Sequence, residues 1–117
     1  MIRVYLESPF AADTDAGVVL HRCYLAACIR DCLHRGESPF ASHGLYTTAL
    51  DDRDPVQRAL GIDAGAAWRA ACDRTIVYGN FGISSGMAAG IAASMRLGHV
   101  IVHRMLGGVS LKVAGGR

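Results

Sequence analysis

The sequence predicts an α/β fold in three layers, a mainly parallel sheet with helices on both faces. Short β-type runs and long helical patterns alternate in the order β-α-β-α-β-α-β, the signature of crossover units. The run Thr75-Ile76-Val77-Tyr78 lacks polar alternation, as expected of a strand covered on both faces. Gly36 and Gly98 stand just beyond helical stretches, where a left-handed residue closes a helix.

IRVYL (2–6) reads as the first strand, ended by the turn Glu7-Ser8-Pro9-Phe10. Residues 13–35 follow as a helix with N-cap candidates at Asp13, Thr14 and Asp15. Its apolar stripe is Val18, Leu25, Cys28, Ile29, Cys32 and Leu33. SPFAS (38–42) is a weaker second strand, and residues 43–54 are expected as a polar, turn-rich connection. Asp54, Pro55 and Gln57 then supply an N-cap, a first-turn proline and the partner for a capping box. The helix they start is expected to bury Val56, Leu60, Ala64, Ala67 and Ala71. RTIVYGN (74–80), a glycine-bearing helix from about residue 82 to Gly98, and HVIVHRM (99–105) complete the order.

The 117 residues suit one domain, expected over 1–106, with 107–117 as a flexible tail. Half the chain is apolar, and a net charge of +2 on scattered arginines argues against a long nucleic-acid partner. No apolar run approaches a membrane span and no signal-like segment opens the sequence, so a cytoplasmic protein is expected. Cys23, Cys28, Cys32 and Cys72 lack the paired spacing of a zinc site and read as core fillers. Neither a metal nor a cofactor is expected.

In such a sheet the ligand rim lies beyond the carboxyl ends of the strands. The order places Glu7, Ser8, Pro9 and Phe10, then Ser42 and His43, then Asn80 through Met87 along that rim. Gly82, Ser84, Ser85 and Gly86 offer backbone N–H groups and hydroxyls at a positive helix end, suited to an anion; an ordinary cap is the plainer reading. Glu7 and His43 are candidates for acid–base work, or else an exposed loop carboxylate and a strand cap. Tyr46, in the polar connection, is the aromatic best placed to meet a ligand, whereas Tyr5 and Tyr78 are expected in the sheet.

Four ordered stretches, VYLESPF, PFASHGLYT, LDDRDPVQRALGIDAGAAW and VYGNFGISSGMAAGI, resemble nucleoside 2-deoxyribosyltransferase-like proteins. Within that superfamily they are similar to a branch met in phage and actinobacterial genomes, over about residues 2–104. The resemblance implies a flavodoxin/Rossmann-like sandwich with a four- to five-stranded sheet, a homo-oligomer, and a nucleoside or nucleotide ligand. It implies N-glycosidic chemistry through a helix-borne glutamate nucleophile. Tyr5 matches the tyrosine that positions that glutamate, and Ser84, Ser85 and Gly86 match the turn that holds a 5′-phosphate.

Two positions depart from the pattern. The nucleophile's place falls on Gly90, and the place of a base-binding aspartate falls on Gly65, with Asp63 on another helix face. Two readings stay open. In one, Glu7 substitutes for the missing nucleophile with His43 as proton donor, and Asn80, Gly82, Met87 and Gly90 join the ligand wall. In the other, the chain is a catalytically inactive protein that sequesters a nucleotide signal, as in phage counter-defence.

Overall fold

The computed structural model describes residues 1–107. The strands are β1 (Ile2–Glu7), β2 (Glu37–Phe40), β3 (Arg74–Tyr78) and β4 (Val100–Arg104). They form one all-parallel sheet in the order β2-β1-β3-β4. The helices are α1 (Asp15–His34), α2 (Ser42–Leu45), α3 (Pro55–Ala71) and α4 (Ser85–Arg96). The expected α/β architecture is therefore present with four strands. The proposed tail lies, apart from Gly107, outside the described residues.

Strand alternation divides the core in two. Val4, Leu6, Ile76 and Tyr78 point to one face, where Tyr24, Leu25, Cys28 and Cys32 of α1 cover them. Tyr5, Glu7, Thr75 and Val77 point to the other, beneath α3 and α4. The first face is an apolar core, with Arg104 joining Glu37 and Tyr78 in a polar cluster at its margin. The second is largely polar: Arg69 donates to Ser94 Oγ at 2.7 Å, and Thr75 donates to the same oxygen at 2.6 Å. No buried side-chain nitrogen or oxygen among the described residues lacks a partner, which such a layer requires.

Local signals explain the helix ends. Thr14 caps α1 by accepting from Gly17 N, and Gly36 follows with φ +79°. Asp54 caps α3 through Val56 N, but the expected capping box does not form. Gln57 instead donates to Asp54 Oδ2 and accepts from Asp51 N, because the chain before the helix folds back over its first turn.

Three other expectations are corrected. Residues 43–54 are not simply turns: α2 and a 3-10 turn, Tyr46–Thr48, occupy their first part. A Cβ on Gly44 would collide with Leu25, so that glycine lets α2 lie against α1. On α3 the expected stripe faces outward, Val56 being 78% and Leu60 59% exposed. The inward residues are Gly65 and Arg69, since the layer beneath is polar and tightly spaced. Finally, Cys28 and Cys32 fill the core, but Cys23 is exposed and Cys72 half-buried.

Candidate functional site

The connections leaving β1 and β3 run in opposite directions, to β2 and β4, and open a crevice at their carboxyl ends. A cleft of about 430 Å³ lies there, walled by the end of β1, by α2, and by one side each of α3 and α4. Tyr5, Glu7, Ser8 and Phe10 reach it from β1 and its turn; His43 and Tyr46 come from the segment after β2. Ser84, Ser85, Gly86, Met87 and Gly90 face it from α4.

Pro9, Asn80 and Gly82 do not line it. Asn80 accepts from Tyr24 Oη at 2.7 Å and is hydrogen-bonded to the backbone of Leu106, tying the end of β3 to α1 and to the chain after β4. Gly82, at φ +83°, turns the chain toward α4. Pro9 is buried in the turn after β1.

Glu7 ends β1 with only 7% of its surface exposed. Its Oε2 lies 2.8 Å from Arg69 Nη2. Arg69 is fixed on every side: Nη1 donates to Gly90 O at 3.0 Å and to Ser94 Oγ, and the guanidinium lies 4.0 Å from the Tyr5 ring centroid. Burial raises the Glu7 carboxyl above the usual carboxylate range, while Arg69 pulls it back down.

Gly90 and Gly65 are where the two helices let these groups in. A Cβ on Gly90 would overlap Glu7 Oε2 and come within 2.6 Å of its Cδ. A Cβ on Gly65 would lie 2.7 Å from Ser42 Oγ and 2.8 Å from Tyr5 Oη, two oxygens hydrogen-bonded to each other. Each bare helix position is thus filled from another element, Gly90 by the Glu7 carboxylate and Gly65 by the Tyr5–Ser42 pair. This also buries the Tyr5 phenol and raises its pKa.

His43 Nε2 is 2.8 Å from Ser8 Oγ. Burial, with the Arg69 charge nearby, pushes its pKa down to about 4. The imidazole is therefore held neutral near pH 7 in the ligand-free protein.

Ser84 caps α4 by accepting from Met87 N at 3.2 Å. Arg58 stands over that first turn, its Nη2 3.9 Å from where a Gly86 Cβ would sit, while its Nη1 pairs with Asp52 at 3.0 Å. Ser42, placed on the rim by element order, also lines the cleft, whereas Arg58 and Arg69 are site residues that sequence reading missed. The signal available was spacing: Gly61, Gly65 and Arg69 recur every four residues and so share a helix face. No cluster of metal-ligating side chains occurs among the described residues.

Residues 2–104 match the family described as Domain of unknown function (DUF7768). The chain belongs to the DUF7768 family. Among solved structures, this DUF7768 chain is similar to the 2-deoxyribosyltransferase from the psychrotolerant bacterium Bacillus psychrosaccharolyticus. The TM-score is 0.59 over 92% of this chain and 75% of that one, at 18% identity. No curated protein matches the DUF7768 chain. The structural likeness establishes a shared fold at a distance, and it agrees with the Rossmann-like architecture above.

Proposed function

We propose that the cleft binds a nucleoside 5′-phosphate-type ligand and that Glu7 acts on its N-glycosidic bond, by hydrolysis or transfer. The observation that carries this reading is the Glu7 carboxylate lying against Gly90, the position where the resembled superfamily has its glutamate. The carboxylate is supplied from β1 instead of α4, yet it occupies the same part of the cleft. The fold shared with a 2-deoxyribosyltransferase supports a nucleoside-type ligand, and the bare first turn of α4 beside Arg58 suits its phosphate.

In this reading a Glu7 oxygen attacks the anomeric carbon as the bond to the base breaks. The electron pair leaves with the base, which takes its proton from solvent. Water, or a second base, then displaces the sugar from the glycosyl–Glu7 ester and restores the carboxylate. A second reading has one specific support: the Arg69 ion pair already neutralises Glu7, as suits a binding protein without turnover.

The deciding experiment incubates the protein with a panel of nucleosides and nucleoside 5′-phosphates and measures free base by chromatography, alongside ligand-induced thermal stabilisation. Base release by the wild type that is lost in Glu7→Gln, with binding kept, is the expected result. Stabilisation without base release selects the sequestering reading, and neither response defeats both. The same proposal includes a homo-oligomer.

A further inference from the structure

We infer that Arg69 is the positioning residue for Glu7, holding Oε2 and so fixing the carboxylate in the cleft against Gly90. The inference rests on the proposed role of Glu7, but its geometry stands independently. Arg69 is buried, 9% exposed, and reaches Glu7 at 2.8 Å while anchored to Gly90 O and Ser94 Oγ of α4. Ser94 is itself held by Thr75 of β3, and the guanidinium carbon lies over the Tyr5 ring. A planar fork that engages three partners while lying over a ring fixes a carboxylate in a way that a flexible ammonium cannot.

The surroundings leave this task to Arg69. Of the elements packed about Glu7, β1 brings Tyr5, whose phenol burial keeps neutral, and α2 brings the neutral His43. From α4 comes the bare backbone of Gly90, and from β3 the apolar Val77. Arg69 is the cation that opposes the desolvation of Glu7. Without it a carboxyl this buried takes up a proton and stops being a nucleophile.

The test is a titration of the Glu7 carboxyl by ¹³C NMR on glutamate-labelled protein, the resonance being assigned with Glu7→Gln. In Arg69→Gln the Glu7 midpoint is expected to rise by at least about one pH unit. The acidic limb of any base-release profile should rise with it. An unchanged midpoint overturns the inference even if base is released; a raised midpoint upholds the charge pairing it requires, and the lysine variant decides the positioning.

Arg69→Lys tests the positioning, and serves also if the glutamine variant does not fold. Lysine keeps the charge, so the midpoint should return most of the way toward wild type. Base release at saturating ligand should nevertheless fall, on the order of 100-fold with little change in KM, because one ammonium cannot replace the anchored fork. Where the wild type cleaves nothing, the lysine variant is judged by whether the Glu7 carboxyl shift at its ionised plateau departs from wild type. Wild-type behaviour of Arg69→Lys in rate and carboxyl shift overturns the inference.

Discussion

At the scale of single residues, the site depends on glycines as much as on charges. Gly90 has no room for a methyl group while Glu7 holds its place. Gly90→Ala should therefore destabilise the protein by about 1–3 kcal/mol, the usual range for overpacking, or by more if the Arg69 pair is pushed apart. The same change in a Glu7→Gly background should cost clearly less, since the offending carboxylate is gone. Denaturant midpoints across this double-mutant cycle measure the coupling, and additive effects would refute the steric argument. His43 makes a second prediction. Its folded-state pKa of about 4 lies below the usual 6.5, so the unfolded chain takes up a proton that the folded one refuses. Stability from this group is complete above pH 6.5 and is lost as pH falls toward 4, by at most about 3 kcal/mol. Glu7, raised by burial, has the opposite sign over its own acid range, so wild type must be compared with His43→Gln in the same buffers. The histidine-free variant should lose less stability between pH 7 and 4; parallel curves would place the imidazole in a solvated state instead.

At the scale of elements, what was legible in the sequence depended on how a helix buries itself. The strands were readable because they lie in a parallel sheet covered on both faces, and the caps of α1 and α4 because Thr14 and Ser84 act on backbone within their own turns. The sheet rim followed from element order alone, which is why Glu7, Ser8, His43 and the start of α4 could be grouped before any contact was known. The inward face of α3 was not readable from hydrophobicity. Its neighbours are polar, so the helix turns in glycine and arginine and turns its aliphatic residues out. Arg69 takes its meaning from Glu7, Gly90 and Ser94, distant in sequence, and no local pattern announces such a partnership. Asn80 sits at the rim just past β3 but does not line the cleft, for a related reason: Tyr24 and Leu106, both remote, draw it into a tie between elements.

At the scale of the whole molecule, the two faces of the sheet are unequally finished. The α1 face closes a core, whereas α3 covers the other face and presents Val56, Leu60, Ala67 and Ala71 outward. Val56 and Leu60, one helical turn apart, are 78% and 59% exposed, and the flank of the same helix adds Trp68 at 52%. A stripe of this kind is costly to leave in water, and its helical spacing suits the same helix of a second copy packed against it. The proposed homo-oligomer should therefore be built through α3. Light scattering on the eluting protein should give a multiple of the 12.4 kDa chain mass. Leu60→Glu, placing a charge on each side of a two-fold contact, should shift it to the single-chain mass. Leu60 is not among the residues lining the cleft, so ligand-induced stabilisation in that variant tells whether a lone protomer holds a complete site. If it is kept, the cleft works within one chain; if it is lost while the fold persists, the neighbouring copy completes it. A wild-type mass of 12.4 kDa at micromolar concentration would reject self-association.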